Sequence, residues 1–101
     1  MSGPAIIAKI TAQPGKRDEL VTALKAMVEH VKTEDGTLQY VLHTDTGDEN
    51  LVWFYERYES QEALAAHGSS EAMKALGGSV RDLAAARPEL IILDVVDGKG
   101  L

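Results

Sequence analysis

The sequence predicts one α+β domain with the element order β-α-β-β-α-β, and three observations carry the prediction. Stretches rich in β-branched and aromatic residues recur at 5–11, 37–44, 51–58 and 89–96. Between the first two, the apolar spacing switches to a helical period. Between the last two lies an Ala- and Leu-rich run punctuated by Ser and Gly, which suits short helices rather than strands. A chain of 101 residues has no room for a second core, so residues 1–101 are read as one domain with its core over about 5–96.

Residues 5–11 (AIIAKIT) form the first strand, and Pro14-Gly15 turns the chain. From Lys16 to about Thr33, Leu20, Leu24, Met27, Val28 and Val31 share one stripe while the charged residues lie off it, which predicts an amphipathic helix. Gly36 is able to take the left-handed conformation that ends a helix. Thr37–Thr44 and Leu51–Tyr58 pair as an antiparallel hairpin around the polar turn 46–50. Ser60 caps a helix starting at Gln61. Gly68 interrupts that helix, and Ser69 or Ser70 recaps a short one through Leu76. Gly77-Gly78 breaks it again, and Ser79 with Asp82 caps a last helical piece before Pro88. Residues 89–96 (ELIILDVV) are the fourth strand, followed by a loose tail.

This order is the ferredoxin-like split arrangement with a four-stranded antiparallel sheet. Its helices can cover only one sheet face. The third strand nevertheless puts Leu51, Trp53 and Tyr55 on one side and Val52, Phe54 and Tyr58 on the other, and the fourth is apolar on both. Strands apolar on both faces are normally covered on both. A second copy of the chain is the expected cover, giving a two-fold homodimer with sheets face to face.

Composition narrows the function. The net charge of −6 provides no basic surface for a phosphate backbone or an anionic membrane, so neither nucleic acid nor membrane is an expected partner. Cysteine is absent, which removes disulfides, a thiolate nucleophile and Cys-based metal sites. No His pair has metal-ligand spacing, so no metal is expected. The N-terminal residues do not read as a signal peptide, and a soluble cytoplasmic protein is the default.

Residues 36–67 hold the only Trp, the only Phe, all three Tyr and two of the three His. Side chains able to stack on a flat organic ligand, or to move its proton, are concentrated there. His67, at the end of a short helix, is the candidate for proton transfer, against the plainer reading of a His that interacts with the helix C-terminus. His43 reads as a solvent-facing strand end and His30 as surface. Trp53 fits a ligand wall, or packing in the core or at a dimer interface. Tyr55 and Phe54 are further candidate walls, and Tyr40 a polar contact to a substrate hydroxyl. Glu56, if it faces inward, needs a partner such as a helix end or an Arg.

The run Glu34-Asp35-Gly36-Thr37-Leu38-Gln39-Tyr40-Val41-Leu42-His43, with Phe54-Tyr55-Glu56-Arg57-Tyr58-Glu59-Ser60 and Ala63-Leu64-Ala65-Ala66-His67, resembles the antibiotic biosynthesis monooxygenase domain. The resemblance implies a dimeric α+β barrel with a ligand pocket in each subunit. It further implies oxidation of a phenol or quinol-like substrate without metal, flavin or other cofactor. Other members of that family degrade haem or process signalling molecules, and a non-catalytic ligand-binding or stress-associated module of the same fold is the alternative. By the same resemblance His67 matches a family His, and Glu56 a recurrent carboxylate. Many members carry a second His five residues after the first. Here that position is Ala72, so a His pair is not available.

Overall fold

A computed structural model describes residues 3–101. Its elements are β1 (Pro4–Thr11), α1 (Arg17–Val31), β2 (Thr37–Thr44), β3 (Leu51–Tyr58), α2 (Gln61–Gly68), α3 (Glu71–Leu83) and β4 (Glu89–Asp94). The four strands make one antiparallel sheet in the order β2-β3-β1-β4, the ferredoxin-like α+β topology that the pattern predicts.

Strand alternation sorts the side chains. Ile6, Ala8 and Ile10 of β1 and Val52, Phe54 and Tyr58 of β3 point to the helical side and are buried with Leu20 and Leu24 of α1 and Val80 of α3. On the other side Ile7 faces Tyr55 and Ile91, and Val41 faces Tyr55, with no described element of the chain over them. The helical layer also stops short of β4: Leu90 and Ile92, directed to the helical side, remain 58% and 63% exposed.

Two glycines matter to the turns. Gly15, with φ of 78°, supplies the left-handed residue of the Pro14-Gly15 turn. Gly36 does not: its φ is not positive, and its role is close approach. A Cβ there would lie 2.6 Å from the Ala63 Cβ, so the absence of a side chain lets the start of β2 rest against α2.

The third helical segment corrects the sequence reading. Gly77-Gly78 does not break it; α3 runs unbroken from Glu71 to Leu83, with Ser79 and Asp82 inside it. Ser70 is the N-cap, its Oγ accepting from the Met73 N–H at 3.2 Å. A glycine inside a helix costs about 1 kcal/mol relative to Ala. Packing of Leu76, Val80 and Leu83 against the core offsets that cost. Since a Cβ at Gly77 would meet nothing within 4 Å, Gly77→Ala is expected to raise unfolding free energy by about 0.5–1 kcal/mol. An unchanged urea midpoint would contradict a continuous helix in solution. Ser60 caps α2 as expected, accepting from the Ala63 N–H at 3.1 Å.

Candidate functional site

The last turn of α2 carries His67 inward, and the segment that leaves α1 carries Glu34 to meet it. His67 is 5% exposed and its Nδ1 lies 2.9 Å from Glu34 Oε1. The Thr37 hydroxyl, at the start of β2, donates to the same oxygen at 2.8 Å. A carboxylate only accepts, so it fixes the proton of a neutral His67 on Nδ1 and leaves Nε2 as the free base. Ser70 braces the helix end by donating from Oγ to the His67 carbonyl at 2.9 Å. The second Glu34 oxygen, Oε2, is buried without a hydrogen bond, 3.3 Å from His30 Nε2.

Aromatic rings close the inner side. Tyr40 and Tyr58 lie with ring centroids 5.1 and 5.3 Å from that of His67, and Tyr40 stacks on Phe54 at 4.4 Å. Glu56 also faces the interior, and its partner is neither a helix end nor an Arg: the Tyr58 hydroxyl donates to Glu56 Oε1 at 2.5 Å. Burial pushes the Glu56 carboxyl above its usual range, against the opposing pull of Tyr58 and His67. Burial also pushes both phenols upward, with the nearby Glu56 carboxylate adding to it, so Tyr40 and Tyr58 stay protonated through the physiological range.

A cleft of about 270 Å³ opens onto this cluster, lined by His30, Glu34, Thr37, Ala63, His67 and Ser70. A second cleft, of about 280 Å³ between α1 and α3, is lined by Ala23, Ala26, Met27, Ala72 and Leu76, with His30 common to both. Ala72, the position of the missing second His, therefore faces a small-residue groove.

The sheet divides the residues that the sequence groups together. His67, Tyr40, Phe54 and Glu56 meet on the helical side. Trp53 and Tyr55 point to the opposite face, so they do not share a cleft with His67. There they line a depression of about 440 Å³ with Ile7, His43 and Asp45. Glu34 and Tyr58 are the residues that sequence reasoning passed over, and His30, read as surface, is half-exposed and tied to Glu34. The one available signal is the i, i+4 spacing of His30 and Glu34 across the end of α1. Among the described residues no cluster of three or more His, Asp or Glu is arranged to hold a metal ion. Nor is any described helix long and apolar enough to cross a membrane.

Trp53 is pinned by the hairpin turn. Its Nε1–H donates to Asp45 Oδ1 at 2.9 Å, while Asp45 Oδ2 accepts from the N–H groups of Gly47 and Asp48 at 2.9 and 2.7 Å. Arg17 donates to the carbonyls of Asp45 and Asp48 from below. These bonds, the Asp48 N–H first, hold the Asp45 carboxyl below the usual range. The lock is therefore complete above the ordinary Asp pKa of about 3.9 and is lost as pH falls through the lower folded-state value. Trp53 is the only Trp, so acid titration is expected to change its emission below about pH 4. In Asp45→Ala that step should be missing; a step that persists would place the titrating group elsewhere.

Comparison with known proteins identifies the family. The model of the antibiotic biosynthesis monooxygenase family matches residues 5–77. The candidate monooxygenase YcnE of Bacillus subtilis (strain 168) is 30% identical over 63 residues, spanning 62% of this chain and 66% of that protein. A crystal structure of a candidate antibiotic biosynthesis monooxygenase from Caulobacter crescentus CB15 superposes with a TM-score of 0.89 at 30% identity, covering 95% of this chain and 92% of that one. PA3566 from Pseudomonas aeruginosa superposes at 0.88 with 29% identity, over 96% and 97% of the two chains. With the split βαβ sheet and a buried His at the end of α2, this chain belongs to the antibiotic biosynthesis monooxygenase family.

Proposed function

We propose that this protein is a small oxygenase that oxidises an aromatic phenol or quinol-like substrate with dioxygen and no bound cofactor. The observation that carries the reading is the buried His67, whose ring is fixed through Nδ1 by Glu34 while it lines an accessible cleft. In this reading the substrate hydroxyl sits in that cleft and gives its proton to Nε2. The Tyr40 and Phe54 rings back the His67 side of the site. The resulting anion is electron-rich enough to reduce dioxygen. For a phenol carried to a quinone, one oxygen atom enters the ring and the other leaves as water. All four electrons come from the substrate, so no external reductant enters the balance.

The uncovered sheet face supports a homodimer. Val41, Ile91 and Leu93 stand exposed there beside Trp53 and Tyr55, an apolar surface of the kind that a second copy covers. In this reading Trp53 and Tyr55 serve that interface or the mouth of a neighbouring site, rather than the wall beside His67.

Oxygen uptake by chelator-treated protein, against a panel of hydroquinones and polycyclic phenols with a boiled-protein control, tests the activity. Catalysed uptake above autoxidation is the expected result. Thermal stabilisation by the same compounds without uptake would instead favour a ligand-binding module. Light scattering is expected to give the mass of two chains, and a monomer would remove the sheet-to-sheet pairing.

A further inference from the structure

We propose that Glu34 and His30 form a proton relay between His67 and bulk water, with His30 as its outer end. The inference rests on His67 being the group that takes up the substrate proton. With a substrate filling the cleft, that proton needs another route to bulk water.

Glu34 presents one carboxylate oxygen to each imidazole, Oε1 to His67 Nδ1 at 2.9 Å and Oε2 to His30 Nε2 at 3.3 Å. The line runs outward in exposure, from 5% at His67 through 17% at Glu34 to 42% at His30. Oε2 is buried and lacks a hydrogen bond, an unfavourable state for a carboxylate oxygen.

The other groups around His67 offer no equivalent route. From β3, Tyr58 commits its hydroxyl to Glu56, and from β2, Tyr40 is a phenol held protonated by burial. Thr37 spends its proton on Glu34 Oε1, and Ser70 spends its own on a backbone carbonyl. Asp35 lines the cleft without a hydrogen bond to the imidazole.

Each transfer balances as a proton shift. Once Nε2 has taken the substrate proton, the Nδ1–H bond of the His67 imidazolium breaks as an O–H bond forms on Glu34, leaving a neutral ring with its proton on Nε2. The carboxyl group turns and delivers the proton to His30 Nε2. His30 Nδ1 then gives its proton to water, and no electrons move.

The test is exchange of the His67 Nδ1 proton with water, read by NMR on nitrogen-15-labelled protein at neutral pH. His30→Ala, at a half-exposed position, should fold normally and slow that exchange by about tenfold or more. Added imidazole should restore it by replacing the missing outer base. Glu34→Gln should slow exchange at least as much, with no restoration by imidazole. Unchanged exchange in His30→Ala overturns the relay. Slowing that imidazole does not restore also overturns it, because it marks a merely structural role. The oxygenase reading is judged separately: normal relay behaviour in a protein that consumes no dioxygen removes the oxygenase and keeps the relay.

Discussion

His67→Ala is expected to slow oxygen uptake by about 10²–10⁴-fold, the usual contribution of a positioned general base. The substitution removes the one imidazole that is both buried and fixed by a carboxylate. It also leaves Glu34 Oε1 with only the Thr37 hydroxyl, at a stability cost of about 1–3 kcal/mol. That cost is smaller than the ~5–15 kcal/mol expected for the whole domain, so the variant should remain folded. Circular dichroism and a urea transition establish the folded fraction, and the dioxygen electrode then reads the rate per folded molecule. A rate within a few-fold of wild type, in folded protein, would show that proton removal lies elsewhere, with the Glu56 carboxylate next in line.

Phe54→Ala is expected to be the most disruptive core change, lowering unfolding free energy by about 3–5 kcal/mol. Phe54 is almost fully buried, pairs across the sheet with Ala8 and Leu42, and stacks on Tyr40. Small neighbours such as Ala8 cannot expand to fill the space, so a cavity remains. The loss would remove a large part of the total stability and shift the urea midpoint strongly downward. It would also free the Tyr40 ring that stands beside His67, so activity should fall even in the residual folded protein. A destabilisation under about 1 kcal/mol would mean that the region between sheet and helices repacks readily, against the close packing described here.

Most of the fold was legible because period and punctuation agree in this chain. Leu20, Leu24, Met27 and Val31 mark α1, and all four are buried. Gly77-Gly78 is a break by local propensity alone, and tertiary packing of Leu76 and Val80 overrides that propensity. The site was half legible. His67 stood out by type and by position after a capped Ala-rich helix. Glu34, which decides its tautomer, is 33 residues away, and its only mark in the sequence is the i, i+4 spacing to His30, which solvated acids share. Trp53 and Phe54 are adjacent letters that fall on opposite faces by alternation, yet alternation alone does not say which face the helices cover. Only the topology settles that Phe54 lies with His67 and Trp53 does not.

The sheet order has a kinetic consequence. β1 is made first, yet its two neighbours are β3 and β4, so its pairing with Leu51–Tyr58 and Glu89–Asp94 joins distant parts of the chain. During synthesis the apolar PAIIAKIT segment must wait for Leu51–Tyr58 before one edge is satisfied, and for Glu89–Asp94 before the other is. Such non-local closure is slow compared with helix formation. Until β4 arrives, the nascent chain carries an unpaired hydrophobic edge that other chains can join. Final assembly of this domain therefore depends on its last strand, and slow release of residues 89–94 lengthens the interval in which the molecule is most exposed to misassembly.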